Sequence, residues 1–98
     1  MKINQEKQGA KLTLNINGRL DTSTAPQLEE VIAKSLSGVE ELVMDCKELE
    51  YVSSAGLRVL LQAQKKMSTG GSLKLVNVNE AIMEVFEITG FDSILTIE

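Results

Sequence analysis

The chain has 98 residues, 43% of them apolar and 24% charged, with a net charge of -4. That length fits one domain, 1–98, with a single core burying about two-thirds of the unfolded surface. The acidic balance works against nucleic acid and anionic lipid, which bind clustered Lys and Arg, and here Lys65-Lys66 is the only adjacent basic pair. Neither a nucleic-acid partner nor direct membrane binding is expected.

Residues 10 to 17 alternate, with Leu12, Leu14 and Ile16 on one side and Lys11, Thr13 and Asn15 on the other, the pattern of a half-buried strand. Residues 2 to 7 pair with it across a turn near Gln8-Gly9, although Ile3 is their one strongly apolar residue. Gly18 is read as the end of the second strand, and a polar loop follows, Arg19 to Thr24. Leu28, Val31, Ile32, Ser35 and Leu36 then recur at helical spacing. Thr24 is a candidate N-cap with Gln27 completing a capping box, and Pro26 falls in the first turn, where its missing N–H costs nothing. Ser37-Gly38 stops the helix.

Residues 41 to 46 read as a buried strand, because Leu42-Val43-Met44 is continuous. A polar connection, 47 to 50, leads to the short apolar Tyr51-Val52. A second helix carries Leu57, Leu60, Leu61, Gln64 and Met67 on one stripe and ends at Gly70-Gly71. Residues 73 to 78 form another strand. A third helix begins near Asn79, turns Ile82, Val85 and Phe86 inward, and closes at Gly90, with Phe91 folding back. Residues 93 to 97 are a candidate last strand. The order ββαβαβα(β) predicts an α/β fold, a mixed sheet with helices packed against it.

Chemistry is sparse. The chain has no histidine, which removes the usual general base, the Ser-His-Asp triad and the commonest metal ligand. Cys46 is the single cysteine and reads as a small buried hydrophobe, so no disulfide and no zinc site are expected. No phosphate-cradling loop occurs. Glu29-Glu30 and Glu40-Glu41 read as solvated faces, and Asp45, at a strand end, lacks an acid–base partner nearby in sequence. The expectation is a non-enzyme with no cofactor and no metal. No segment resembles a signal peptide and no apolar run spans a bilayer, which points to a cytoplasmic location.

One stretch stands out, Tyr51-Val52-Ser53-Ser54-Ala55-Gly56-Leu57-Arg58: a strand end, two hydroxyls, two small residues, then a helix. The plain reading is capping, a serine oxygen accepting free backbone N–H groups. The functional reading is a phosphorylation switch, in which small residues leave the helix start open to a partner. A phosphate there adds about -1.5 to -2 charge units to the surface.

Three segments resemble the anti-sigma factor antagonist, or STAS, family: GRLDTSTAPQLEEVI at 18–32, ELVMDCKELEYVSSAGLRVLL at 41–61 and GGSLKLVNVNEAIMEVFEITGFDSIL at 70–95. The resemblance runs in order over nearly the whole chain. It implies partner switching, in which the protein binds an anti-sigma factor that is also a serine kinase and so releases a sigma factor. Phosphorylation by that kinase ends the binding, and a serine phosphatase restores it. Counting back from Gly56, the family's Asp-Ser-Ser-Gly pattern puts the phosphoserine at Ser54, with Ser53 as the fallback. Here Ser53 stands where the family has aspartate, and Ala55 replaces the second serine. The partner surface implied is Asp21, Thr22, Ser23, Thr24, Ser53, Ala55, Gly56 and Arg58. The loop residues among them read equally as turn and cap chemistry, and Arg58 as a contact to partner or phosphate. The alternative is a non-sigma module of the same fold, such as a soluble subunit of a lipid or anion transporter or a piece of a signalling scaffold. A nucleotide or small-molecule sensor ranks third, because only Tyr51, Phe86 and Phe91 are aromatic.

Overall fold

The computed structural model describes residues 1–98. Strand β1 (Lys2–Gln8) runs antiparallel to β2 (Lys11–Leu20), from Lys2 opposite Asn17 to Gln8 opposite Lys11. Helix α1 (Ala25–Ser35) leads to β3 (Glu41–Asp45), which lies parallel to β2 on its other side. Strand β4 (Leu49–Val52) follows, then α2 (Ser54–Met67), β5 (Ser72–Val76) and α3 (Glu80–Thr89). The sheet order is β1-β2-β3-β5, with β4 pairing parallel to the end of β2 beyond β3. This is the mixed α/β sheet and element order that the sequence implies, with β4 as an added short strand that joins the last two residues of the segment read as a connection to the strand end at Tyr51-Val52.

The alternation in β2 carries the core. Leu12, Leu14, Ile16 and Leu20 are fully buried and meet Leu28 and Ile32 of α1, Leu57, Leu60 and Met67 of α2, and Phe86 of α3 in one apolar cluster. In β3, Leu42 and Met44 join that cluster, whereas Val43 faces the other way, flanked in register by Thr13 and Lys74. The α2 stripe is shifted from the expected one. Val59 and Ala63 are buried with Leu57, Leu60 and Met67, while Leu61 and Gln64 lie at its half-buried border.

Three local expectations change. Gly18 does not end β2. It sits inside the strand at φ 112°, the register against β4 shifts between Gly18 and Arg19, and the strand continues to Leu20. A bulge with glycine at positive φ bends a strand without stopping it. The capping box of Thr24 and Gln27 does not form, since the Thr24 side chain makes no cap hydrogen bond to α1, and Gln27 Nε2 donates instead to the Met1 carbonyl at 3.2 Å. The candidate strand at 93–97 reduces to a 3-10 turn, Phe91–Ser93, and a single parallel bridge between Leu75 and Ile97. Gly90 does take the left-handed conformation expected of it, φ 80°, and Phe91 packs against the core.

Candidate functional site

Strands β2 and β4 end side by side, Arg19 opposite Tyr51 and Leu20 opposite Val52. The Ser53 N–H donates to the Leu20 carbonyl at 2.8 Å. The loop after β2 and the start of α2 therefore share one end of the sheet, because both strands feeding them stop at the same level.

In the loop, the Asp21 carboxylate accepts from the Ser23 N–H at 3.0 Å, the Ser23 hydroxyl at 2.8 Å and the Thr24 N–H at 3.2 Å. The Thr24 hydroxyl accepts from the Asp21 N–H at 2.8 Å and lies 2.7 Å from the Arg19 carbonyl, to which it donates. This is a reciprocal box of the capping type, formed three residues earlier than the sequence pattern suggests. The Ser23 hydroxyl is the largest influence holding the Asp21 carboxyl below its ordinary value, aided by the Thr24 and Ser23 N–H groups against an opposing desolvation. The Arg19 guanidinium stacks over the Tyr51 ring, 4.2 Å from its centroid, and stands 3.8 Å from the Asp21 carboxylate. Thr22 and Ser23 remain exposed.

At the start of α2 the two serines differ. Ser53 is the N-cap, and its hydroxyl accepts from the Gly56 N–H at 3.3 Å. Ser54 is the first helical residue, exposed, and its side chain makes no hydrogen bond to the rest of the chain. Ala55 is half-buried and Arg58 exposed. Both line a shallow groove of about 150 Å³ between the helices, with Thr22, Ala25, Pro26, Glu29 and Val59. Gly56 is different: it is buried, and a Cβ there would fall 2.7 Å from Leu20 Cγ and 2.9 Å from the Leu20 carbonyl oxygen. Its smallness serves the approach of α2 to β2, so it corrects the expectation that Gly56 keeps the helix start open from outside.

The structure thus brings together Asp21, Thr22, Ser23, Thr24, Ser53, Ser54, Ala55 and Arg58, and leaves Gly56 beneath them. Arg19, Tyr51 and Glu29 belong to the same end, and the sequence alone gives none of them a role there. The signal that locates Tyr51 is its pairing with Arg19, which depends on the unforeseen β4.

Burial, with the neighbouring Asp45 charge adding to it, pushes the Cys46 thiol up to about 12. Partial burial works to raise the Asp45 carboxyl, but hydrogen bonds from Asn77, the Lys47 N–H and Asn15 outweigh it and hold the group below its ordinary value. No group of three or more His, Cys, Asp or Glu side chains is placed to hold a metal ion. No helix is long and apolar enough to cross a membrane.

The STAS domain model matches residues 2–98. BtrV of Bordetella bronchiseptica, named as an anti-sigma factor antagonist, is 37% identical over 99 residues, covering 99% of this chain and 85% of that protein. The anti-sigma-B factor antagonist of Bacillus subtilis is 34% identical over 87 residues, covering 88% of this chain and 80% of that protein. Among solved structures, the Bacillus cell fate determinant SpoIIAA in its phosphorylated form matches with a TM-score of 0.76 at 17% identity, over 99% of this chain and 91% of that one, a likeness of fold. With a family model spanning residues 2–98 and curated relatives named as anti-sigma factor antagonists, the chain belongs to the STAS domain family.

Proposed function

We propose that this protein is an anti-sigma factor antagonist that works by partner switching. The end of the sheet carrying Asp21 to Thr24, Ser53 to Ala55 and Arg58 docks on an anti-sigma factor serine kinase, and the sigma factor is released. Phosphorylation of Ser54 by that kinase ends the binding, and a serine phosphatase renews it. The protein acts by binding, with no catalytic residue of its own.

The observation that carries this reading is the contrast between the two serines. The Ser53 oxygen is engaged in the cap and the residue is half-buried, so its hydroxyl is the less accessible of the two to a modifying enzyme. The Ser54 hydroxyl is exposed and unengaged. A phosphate on it adds charge to the docking face without disturbing the core. The relatives that share 37% and 34% identity bear the matching names.

The test is intact-protein and peptide mass spectrometry of the chain from its own host across growth conditions, paired with Ser54→Asp and Ser54→Ala binding to the kinase that co-purifies. A condition-dependent phosphate at Ser54 is expected. Ser54→Asp should weaken binding by about tenfold or more, because like or unpaired charge at a docked face is costly. Ser54→Ala should bind as the wild type and resist modification. If Ser54→Asp binds as tightly as the wild type, the switch reading fails.

A further inference from the structure

The chain has two arginines, Arg19 and Arg58, and both lie at the same end of the sheet. Arg19 is committed: it stacks on Tyr51 and stands beside Asp21. Arg58 is exposed and belongs to none of the four ion pairs in the molecule. It lines the groove between α1 and α2 together with Glu29, the groove's one acidic residue. The unmodified groove is therefore balanced, one cation and one anion, neither paired with the other.

Arg58 also bears a fixed relation to Ser54. The two are separated by four positions on α2, Ser54 being its first residue. Residues at that spacing stack on one helix face, with Cβ atoms about 5–6 Å apart, and side chains lean toward the N-terminus. This spacing puts Ser54 within the reach of the Arg58 side chain. No acidic residue occupies the first turn of α2 to compete for it. Asp21, the other carboxylate at this end, is already satisfied by Ser23, Thr24 and Arg19.

We propose that Arg58 is the internal receptor of a phosphate on Ser54, and that the switch acts by withdrawing Arg58 from the groove. This rests on the reading of Ser54 as the phosphorylated residue. The planar guanidinium forks onto two phosphate oxygens, a geometry that lysine cannot reproduce. Once it is held there, Glu29 is left uncompensated, and the groove passes from balanced to acidic. The phosphate thereby alters a surface beyond its own footprint, and the fold does not move.

The test uses the full chain with phosphoserine incorporated at position 54 by genetic encoding, so that no kinase is needed. The phosphate is titrated by 31P NMR in the wild type, Arg58→Gln and Arg58→Lys, and the Arg58 Nε–Hε resonance is followed with and without the phosphate. The second ionisation of the phosphate should lie about 0.2–0.4 units lower in the wild type than in Arg58→Gln. Arg58→Lys should recover part of that difference, and the Arg58 Hε signal should shift on phosphorylation. A purely structural Arg58 would move none of these. Equal titration in wild type and Arg58→Gln, or an unmoved Hε signal, overturns the proposal. The two readings fail separately. A clamp seen by NMR with no phosphate in host protein sinks the function of Ser54 and leaves the chemistry of Arg58. Phosphate in host protein with a titration indifferent to Arg58 does the reverse.

Discussion

Replacing Gly56 by alanine sets two effects of known size against each other. Gly56 is the third residue of α2, and in a helix alanine is favoured over glycine by about 1 kcal/mol. Helix propensity alone therefore predicts a stabilised protein. The packing predicts the opposite. The new methyl would sit 2.7 Å from Leu20 Cγ and 2.9 Å from the Leu20 carbonyl oxygen, both inside contact distance. Leu20 is fully buried, and its carbonyl is held by the Ser53 N–H, so neither atom gives way easily. Overpacking of this kind costs about 2–3 kcal/mol, the upper part of the usual range, because one of the clashing atoms is backbone. The net is a loss of about 1–2 kcal/mol, or roughly 5–15 °C in Tm for a chain of this length. Urea unfolding and thermal melts followed by circular dichroism measure it directly. An unchanged or raised Tm would refute the reasoning, since it would mean that α2 can slide from β2 at no cost.

Two further outcomes are expected. Ser53→Ala should cost about 1 kcal/mol in urea unfolding through loss of the α2 cap, while Ser54→Ala stays within about 0.5 kcal/mol of the wild type; equal effects would show that the hydroxyl of Ser53 is not the cap. The Asp21 carboxyl is held below its ordinary value of 3.8 by its hydrogen bonds, so its contribution to stability is full above the unfolded-state value and fades as pH falls through the lower folded one. Melts from pH 6 to pH 2 should show a shallower acid loss in Asp21→Ala than in the wild type, and parallel profiles would count against that contribution.

Much of this molecule is legible in its sequence where one face is buried. The alternation of Leu12, Leu14 and Ile16 names both the strand and its inner side, and Asn79 and Gly90 bracket α3 as their cap chemistry demands. β4 is legible only as the strand end at Tyr51-Val52, because four residues with Glu50 and Tyr51 exposed between Leu49 and Val52 show no period, and only pairing with the end of β2 makes the whole of it a strand. Gly18 misleads for a related reason: a glycine at positive φ marks a bulge as readily as an end, and the partner strand decides which. At the site, the two adjacent serines are visible as residue types, but their division of labour depends on which hydroxyl points back to Gly56. The inward orientation of Gly56 could not be read at all without Leu20 in place. The sequence pattern pairs Thr24 with Gln27, whereas the box forms with Asp21, since the same spacing of three fits both pairs.

β1 forms one edge of the sheet, and all of its residues but Ile3 are exposed. An unpaired edge of seven residues is a template on which another chain's strand can add, the usual beginning of aggregation. This one is poorly suited to that end. Lys7 lies opposite Leu12, Gln5 opposite Leu14 and Ile3 opposite Ile16, so the side of β1 that continues the apolar face carries a charge and an amide beside a single apolar residue. A strand arriving from outside would have to desolvate the Lys7 ammonium to extend the sheet in register. The weakness of the apolar pattern in β1 is in this sense protective. It lets the sheet keep one open edge without offering an arriving strand a dry apolar surface to join.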